Sequence, residues 1–425
     1  MFGKARTILV ATVAAMKPLR DKFVIFCFLS LVENDSQVCL FGKNSTLAVL
    51  ARFGQFLCMT YPRYTALAQT LPATVPFVGP EAQERTMGKA FRARLGANEN
   101  VFGPSPKATE AMQRAVDGIW MYGDPESLDL RHALAKFHAI SPENIVVGEG
   151  IDGLLGYLVR LLIEAGDTVV TSKGAYPTFN YHVAGFDGVL HTVPYKDDRE
   201  DLAALINKAA EVNAKLVYFA NPDNPMGTWV SGDKIVAALD HLPEGALLVL
   251  DEAYIEFAPE GSAAKVNIED PRLIRMRTFS KAYGMAGARV GYALGARDLI
   301  RNFEKIRNHF GMNRAAQVAA LVALGDADWL AETNAKVAEA RVEIDKIARA
   351  NGFTTLPSAT NFVAVDCGRD ATYAKAVLDG LVARGVFVRM PFVEPQSRCI
   401  RVSCGPAEFL EILADELPHV VAELN

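Results

Sequence analysis

The chain has 425 residues, of which 50% are hydrophobic and 22% are charged, and its formal net charge is −5. This length is enough for a large core and roughly two domains, and an acidic balance without a Lys/Arg-rich block excludes a basic nucleic-acid-binding protein. Six cysteines at this length do not form a disulfide framework, and Cys367, Cys399 and Cys404 lack metal-ligand spacing. We therefore expect a cytoplasmic protein without a metal centre.

Residues 1–58 differ in composition from the rest of the chain. Their apolar stretches at residues 8–16 and 23–32 are separated by KPLRDK, so neither reaches the ~20 residues that a membrane span needs. No clear signal-peptide pattern is present either. We predict that this segment lies outside the working fold, as an upstream extension or a wrongly chosen start with Met59 as the true beginning.

Short apolar runs alternate with helical patterns from residue 144 onward. The runs are continuous, as in a parallel sheet buried on both faces, and helical spacing such as EDLAALINKAAEVNAK separates them. They read NIVVG, DTVVTS, KLVYFAN, ALLVLDE, LIRMRTFS and RVGYAL. The pattern predicts an α/β fold with a mostly parallel, doubly wound sheet, which we assign to a large domain at residues 121–296.

The pattern changes beyond residue 296. Charged helical stretches at residues 297–308 and 331–350 precede the runs NFVAVD, GVFVRM and CIRVSC. Helices followed by strands predict a smaller α+β domain at residues 297–425. We assign residues 59–120 to an N-terminal arm and the first part of that small domain.

Polar residues follow three of the predicted strands directly. They are Asn221, Asp251 and Ser280. Because open α/β sheets bind ligands at the carboxyl ends of their strands, we expect all three to face one crevice.

The turn GEGIDG at residues 148–153 formally matches the GxGxxG fingerprint of dinucleotide-binding proteins. That fingerprint needs an acidic residue at the end of the next strand, whereas TVVTS ends in Ser172 and Lys173. A nicotinamide cofactor is therefore disfavoured. The helix N-terminus still predicts an anion site, with backbone N–H groups of Gly150, Ile151 and Asp152 as donors to a phosphate.

Six motifs occur in a characteristic order along the chain: LGANENVFGPSP, YGDPES, NPDNP, DEAY, TFSK and IRVSCG. In this order they resemble the fold-type I pyridoxal-phosphate aminotransferases, and within them the histidinol-phosphate aminotransferase group. The match runs from about residue 85 to the C-terminus. It implies the fold-type I architecture, with pyridoxal 5'-phosphate as cofactor.

The resemblance assigns the catalytic residues. Lys281 resembles the Schiff-base lysine, which also moves the proton between the substrate α-carbon and the cofactor. Asp251 resembles the carboxylate that keeps the pyridinium nitrogen protonated. Tyr254 and Asn224 resemble the pair that binds the cofactor's phenolic oxygen.

The resemblance also assigns residues that hold the cofactor. Thr278, Ser280 and Arg289 resemble the phosphate ligands, with the arginine forming a charge-assisted pair. Phe179 fits the aromatic residue stacked on the cofactor ring, and Tyr176 is the alternative. Tyr122 resembles the tyrosine that reaches the phosphate from the partner subunit, which implies a homodimer.

Substrate contacts are the third part of the resemblance. Arg401 resembles the arginine that binds the acidic group of the substrate, with Asn98 and Arg389 as further candidates in the same pocket. The chain departs from the family at Met226, where threonine is usual, and at Ile151, where serine or alanine is common. Both departures concern substrate choice.

The resemblance implies a ping-pong aminotransferase, with histidinol phosphate as the first candidate donor and 2-oxoglutarate as acceptor. One alternative is an aromatic or other amino-acid aminotransferase. Another is a phosphothreonine-type decarboxylase, which carbon dioxide release would distinguish. A non-catalytic sensor of the same cofactor is disfavoured, because residues 1–84 lack a basic helix-turn-helix pattern and the catalytic residues are intact. We expect no nucleic-acid or membrane partner.

Overall fold

The computed structural model describes residues 25–32, 35–42, 62–73 and 78–425. Contacts within the chain separate two units, residues 1–70 and residues 71–425. In the first unit, strands β1 (Ile25–Val32) and β2 (Asp35–Gly42) pair antiparallel, and α1 spans Ala66–Thr70. Most of residues 1–58 lie outside the described residues, so their exclusion from the working fold stays a prediction. No helix in the described part of the chain is long and apolar enough to cross a membrane.

A seven-stranded sheet forms the centre of the second unit. Its spatial order is β4-β10-β9-β8-β7-β5-β6, and only β10 runs antiparallel to its neighbours. The strands are β4 (Ile145–Gly148), β5 (Thr168–Ser172), β6 (Val189–Val193), β7 (Leu216–Ala220), β8 (Leu247–Asp251), β9 (Leu273–Thr278) and β10 (Gly291–Gly295). The predicted α/β class and mostly parallel sheet are confirmed. Only β6 is absent from the predicted strands, because it lies at the sheet edge and is only partly buried, with Val189 and Thr192 exposed.

Helices cover both faces of this sheet, as the continuous apolar strands require. Alternate residues of each strand point to opposite faces, so Leu216 and Tyr218 of β7 pack on one face while Val217 and Phe219 pack on the other. The covering helices are α4 (Leu128–His138), α5 (Gly150–Leu162), α6 (Thr178–Gly185), α7 (Leu202–Val212), α8 (Gly232–Leu239) and α9 (Arg297–Asn302).

A smaller antiparallel sheet follows, in the order β11-β12-β14. It consists of β11 (Thr354–Thr355), β12 (Phe362–Asp366) and β14 (Cys399–Ser403), and it packs with α11 (Ala327–Ala350), α12 (Ala371–Ala383) and α13 (Ala407–Leu424). A parallel pair of short strands, β3 (Ala93–Arg94) with β13 (Val386–Phe387), joins the N-terminal side to this layer. Helix α2 (Pro80–Met87) precedes β3.

One helix complicates the predicted boundary at residue 297. Helix α10 (Arg314–Leu324) packs against α3 (Pro106–Ala115) and shares its core with Ile145 and Tyr292 of the large sheet. The predicted helix at residues 297–308 is also shorter, since α9 ends at Asn302 and a 3-10 turn follows. The domain boundaries therefore stay a prediction.

Candidate active site

A cavity of about 590 Å³ opens at the carboxyl ends of β7, β8 and β9. These strands are adjacent and parallel, with Ala220 paired to Asp251 and Asp251 paired to Met276. Of the three polar residues expected at this edge, Asp251 and Ser280 line the cavity. Asn221 does not, because its side chain hydrogen-bonds the backbone of Val230 and Ser262. Twelve of the predicted site residues line the cavity: Asn98, Ile151, Asp152, Asn224, Asp251, Tyr254, Thr278, Ser280, Lys281, Arg289, Arg389 and Arg401. Gly150, Phe179 and Tyr122 are outside this lining.

Lys281 is the nucleophilic group of the cavity. Its Nζ donates to the backbone oxygen of Asn98 at 3.1 Å and lies 5.5 Å from the ring centre of Tyr254. Burial, and after it the positive charge of Arg401, lowers the pKa of Lys281 to about 8. A larger fraction of this amine is therefore neutral and nucleophilic near neutral pH than of an ordinary lysine.

Asp251 is a buried carboxyl group at the end of β8. It accepts hydrogen bonds from the Tyr218 hydroxyl at 2.6 Å and from the Ala253 backbone N–H at 2.9 Å. Burial raises the pKa of Asp251, while these hydrogen bonds and the charge of Lys281 oppose the increase. These hydrogen bonds hold the carboxyl group in place at the cavity wall. There it can accept a hydrogen bond from the N–H of a protonated ring nitrogen.

The hydroxyl of Tyr254 is bound by two asparagines. Asn98 Nδ2 donates to it at 3.2 Å and Asn224 Nδ2 at 3.5 Å. Burial raises the pKa of Tyr254 to about 12, against the opposing charge of Arg401. Tyr254 therefore stays protonated at neutral pH and is available as a hydrogen-bond donor.

Thr278, Ser280 and Arg289 form an anion cradle beside the first turn of α5. Thr278 Oγ1 is 2.9 Å from Ser280 Oγ, and Arg289 Nη1 donates to Ser280 Oγ at 3.3 Å. Arg289 Nη2 donates to the Glu149 backbone oxygen at 3.3 Å, so the guanidinium lies beside the first turn of α5. The unpaired N–H groups of that turn and the arginine together favour a phosphate.

Gly150 shapes this cradle without lining the cavity. Its φ is +78°, and a Cβ there would lie 2.5 Å from Arg289 Nη2. Ile151 and Asp152 follow it on the cavity wall, and Asp152 Oδ1 lies 2.9 Å from His182 Nε2. A glycine is therefore required where helix and arginine approach each other.

Phe179 is not placed to stack on a ring in the cavity, which corrects the predicted assignment. It lies in the first turn of α6, is fully buried, and stacks against Tyr218 with ring centres 4.8 Å apart. Tyr176, in the loop before the helix, lines the cavity instead. Of the two aromatic residues, only Tyr176 can therefore contact a ring in the cavity, while Phe179 packs against the tyrosine that donates to Asp251.

Arg401 and Arg389 place two guanidinium groups at the far end of the cavity. Arg401 Nη1 donates to Asn224 Oδ1 at 2.6 Å, and its Nε is buried without a hydrogen-bond partner. Burial lowers the pKa of Arg401 to about 10 and also lowers the pKa of Arg389. Neither forms an ion pair within the part of the chain that the structure describes, so a cationic subsite remains for an anionic ligand.

Tyr122 lies on the surface. Its side chain is 79% exposed and contacts the ring of Phe310, with centres 4.8 Å apart. Within one chain it does not reach the cavity, so its predicted contact with a phosphate depends on a second subunit.

Several cavity residues were absent from the predicted site. Tyr218 had a signal in the sequence, because a hydroxyl in the continuous apolar run KLVYFAN needs a buried partner. Asn180, whose Oδ1 is buried without a partner, Glu99, and the exposed Phe392 had none. Asn180 lies in α6, and Glu99 and Phe392 lie in loops, so only the tertiary fold brings the three to the cavity.

The donor set fits a phosphorylated aromatic aldehyde. The anion cradle can bind its phosphate, and Asp251 can pair with a ring nitrogen. Tyr254 and Asn224 can hydrogen-bond a ring oxygen, and the amine of Lys281 can react with the carbonyl carbon. Arg401 then remains for the acidic group of a substrate. One cavity thus contains a covalent anchor, an electrostatic partner for the ring, and a separate anion site.

Comparison with known proteins supports the same chemistry. Residues 93–417 match the family model for aminotransferase class I and II. A crystal structure of histidinol-phosphate aminotransferase from Sinorhizobium meliloti in complex with pyridoxal-5'-phosphate is 53% identical, covers 86% of this chain and 100% of that chain, and has a TM-score of 0.84. Histidinol-phosphate aminotransferase 2 of Carboxydothermus hydrogenoformans is 33% identical over 79% of this chain and 93% of its own. Histidinol-phosphate aminotransferase of Moorella thermoacetica is 32% identical over 85% and 94%.

Proposed function

The chain belongs to the aminotransferase class I and II family, and on that premise we propose that it transfers the amino group of histidinol phosphate to 2-oxoglutarate. The protein is a pyridoxal-phosphate-dependent aminotransferase that acts on small amino and keto compounds. The 2-oxoglutarate acceptor fits the chemistry of this family. The donor is the specific part of the proposal, and it places the enzyme in amino-acid biosynthesis.

Pyridoxal phosphate, when bound, supplies an electron sink for the carbanion that forms at the substrate α-carbon. We propose that the chain holds its phosphate with Thr278, Ser280, Arg289 and the first turn of α5. The carboxylate of Asp251 would keep the ring nitrogen protonated. The ring face would rest on Tyr176.

Lys281 would have two roles in the reaction. Its neutral amine, favoured by the lowered pKa, would first attach the cofactor. When free, the same amine would move the proton at the donor's α-carbon, as general base and then as general acid. Tyr254 and Asn224 would hold the ring oxygen, so the reacting atoms stay aligned.

The proposed donor rests on one observation. Arg401 and Arg389 have no carboxylate ion-pair partner among the described residues. Arg401 and Arg389 are neighbours across an antiparallel bridge, with the Arg401 backbone N 2.6 Å from the Arg389 oxygen. Two guanidinium groups without a carboxylate partner among the described residues favour a phosphate dianion over a single carboxylate. The relatives' printed name, histidinol-phosphate aminotransferase, supports the same donor.

An amino-acid donor remains the second candidate, because Glu99 lines the cavity and its negative charge acts on Arg389. With Glu99 offsetting one arginine, Arg401 alone would suit a carboxylate. A panel of amino donors, histidinol phosphate and aromatic amino acids included, with 2-oxoglutarate and with glutamate as the measured product, separates the candidates. We expect the highest kcat/KM with histidinol phosphate. Preference for an amino acid would contradict the proposed donor, and carbon dioxide release would contradict amino transfer.

We further propose that the enzyme is a homodimer in which Tyr122 of one subunit reaches the phosphate of the other. Tyr122 lies in an exposed apolar segment with Ile119 and Trp120, next to Phe310. An exposed patch of this kind is typical of a protein interface. A cytoplasmic location is likewise a proposal, supported by the free, buried thiols of Cys367, Cys399 and Cys404.

A further inference from the structure

A pair of buried carboxyl groups lies directly behind the cavity wall. Glu200, just before α7, is 5% exposed, and Asp223, within NPDNP, is 2% exposed. The two carboxyl groups are close enough that each acts on the pKa of the other. Within the described part of the chain, neither forms an ion pair with a lysine, arginine or histidine. The catalytic roles above leave both groups without a function.

Glu200 ties two strand ends together. Its Oε2 accepts a hydrogen bond from Ser172 Oγ at 2.6 Å, at the end of β5. Its Oε1 accepts one from the Ala220 backbone N–H at 3.0 Å, at the end of β7. Ala220 itself lines the cavity. Glu200 therefore fixes the wall from which the NPDNP segment departs.

Asp223 closes the turn that carries Asn224. Its Oδ1 accepts a hydrogen bond from the Tyr195 hydroxyl at 2.7 Å, and its Oδ2 accepts one from the Met226 backbone N–H at 3.0 Å. The turn is completed by the Gly227 N–H, which donates to the Asp223 backbone oxygen at 3.1 Å. The side chain of Asp223 thus holds both ends of the segment that presents Asn224 to the cavity.

The turn also reaches the arginine that we assign to the substrate. Asn224 Oδ1 is the acceptor for Arg401 Nη1, and Asp223 is a carboxyl group whose charge acts on Arg401. Met226 is fully buried among Tyr195, Ala364 of β12 and Cys399 of β14. The strand that carries Arg401 is therefore packed against the turn that Asp223 holds.

Two carboxylates in contact inside a protein cannot both be ionised at low cost, so one proton is shared between them. Burial, and after it the charge of Asp223, raises the pKa of Glu200 well above its usual range. Burial raises the pKa of Asp223 only to about 6, because Tyr195 and Met226 donate to its charged form. Both directions favour a proton on Glu200 and a charge on Asp223.

We propose that a protonated Glu200 and an ionised Asp223 act as a positioning pair, which orients Asn224 and Arg401 for the acidic group of the substrate. This role rests on the proposed function, since it assumes that Arg401 binds the donor's anionic group. Neither carboxyl group touches the reacting atoms, so they affect substrate binding more than the chemical step.

Three variants of the holoenzyme test the pair. Asp223→Asn removes the charge, and we expect the KM for the donor and the Kd for inorganic phosphate to rise about tenfold, the size of one charge-assisted hydrogen bond. Its kcat should fall by a smaller factor than KM rises, because Asn224, which Asp223 positions, also contacts the ring oxygen of the cofactor in the proposed function. Glu200→Ala should weaken phosphate binding similarly, whereas Glu200→Gln, a neutral donor of the same shape, should restore both constants to within about twofold of the wild type.

The order of the variants decides the outcome. If Glu200→Gln and Asp223→Asn have equal effects, or if Glu200→Gln is the more harmful, the proposal is overturned. Infrared spectroscopy is an independent test, because it compares only the wild type with Glu200→Gln and does not require the Asp223 variant to fold. The difference spectrum of wild type and Glu200→Gln at neutral pH should contain the carbonyl stretch of a protonated carboxylic acid, and its absence would also overturn the pair.

These readouts separate the pair from the proposed function. The phosphate Kd and the infrared band do not depend on which amino donor the enzyme prefers. Suppose that the donor panel favours an amino acid while the infrared band and the order of the variants are as expected. That result would contradict the proposed donor and still support the positioning pair.

Discussion

The side-chain amine of Lys281 is buried and lies near the positive charge of Arg401, and both lower its pKa. It should therefore react with electrophiles at lower pH than other lysines. In cofactor-free protein we expect Lys281 to be acylated with a midpoint near pH 8, since the amine is protonated and unreactive below its lowered pKa of about 8. Surface lysines have an ordinary pKa of ~10.4 and should react only at higher pH. Peptide mass spectrometry of samples labelled across a pH series measures both in one experiment.

A substitution at Arg401 serves as the check on this explanation. Arg401→Gln removes the positive charge that acts on Lys281, so the Lys281 pKa should rise and the midpoint should move to higher pH. A midpoint for the wild type that coincides with the surface lysines would show that the amine is not perturbed.

Arg401 should also determine the affinity for the donor. Arg401→Lys keeps the charge but loses the planar pair of N–H groups and the hydrogen bond to Asn224. A lost charge-assisted hydrogen bond costs ~1.5–3 kcal/mol, so KM should rise at least about tenfold in steady-state assays while kcat falls less. Arg301→Lys, at an exposed position of α9, is the matched control and should behave as wild type. A kcat-only loss would place Arg401 in the chemical step rather than in binding.

At the scale of a single element, the start of α5 is the most sensitive point of the cofactor site. Gly150 and Gly166 both have positive φ, but only Gly150 has Arg289 against the position of a Cβ. Replacement by alanine should cost each variant ~1–2 kcal/mol of folding stability for the left-handed backbone. Gly150→Ala should in addition displace Arg289 and weaken binding of pyridoxal phosphate.

Equilibrium unfolding and cofactor titration distinguish these two effects. We expect similar unfolding midpoints for the two variants, with the affinity for pyridoxal phosphate reduced only in Gly150→Ala. Equal cofactor affinity in both would mean that Arg289 does not depend on the space beside Gly150.

At the scale of the whole molecule, the proposed dimer makes two subunits share each site. Lys281→Ala and Tyr122→Phe should both be impaired as pure proteins. In a mixed dimer, one site combines an intact Lys281 with the intact Tyr122 of the other subunit, and activity should be recovered. The assay is the specific activity of the two variants after unfolding and refolding together, with each variant refolded alone as control.

Absence of recovery, with mixed dimers demonstrated by a size tag on one variant, would place Tyr122 in the site of its own chain. We expect recovery, because Tyr122 lies on the surface and does not line the cavity of its own chain.

The sequence by itself was enough for the architecture of the large sheet. Strands such as NIVVG and ALLVLDE are continuous apolar runs, and a strand buried on both faces can hardly be read otherwise. Edge strand β6 was missed because VLHTV is only partly buried and contains the polar residues His191 and Thr192, so it is not a continuous apolar run. The strand-end positions of Asp251 and Ser280 likewise predicted one crevice, because parallel strands end at the same edge. The same expectation was wrong for Asn221, because its side chain binds the backbone of Val230 and Ser262.

Only the tertiary structure decided which side chains face the cavity and which support them. Phe179 and Tyr176 are three residues apart in similar surroundings, and the choice between them depends on where the loop ends and α6 begins. Glu200 and Asp223 are 23 positions apart in the sequence and meet only because β5 and β7 are neighbours. Local patterns encode strands, turns and motif residues, whereas contacts between distant segments arise from packing, which no local pattern records.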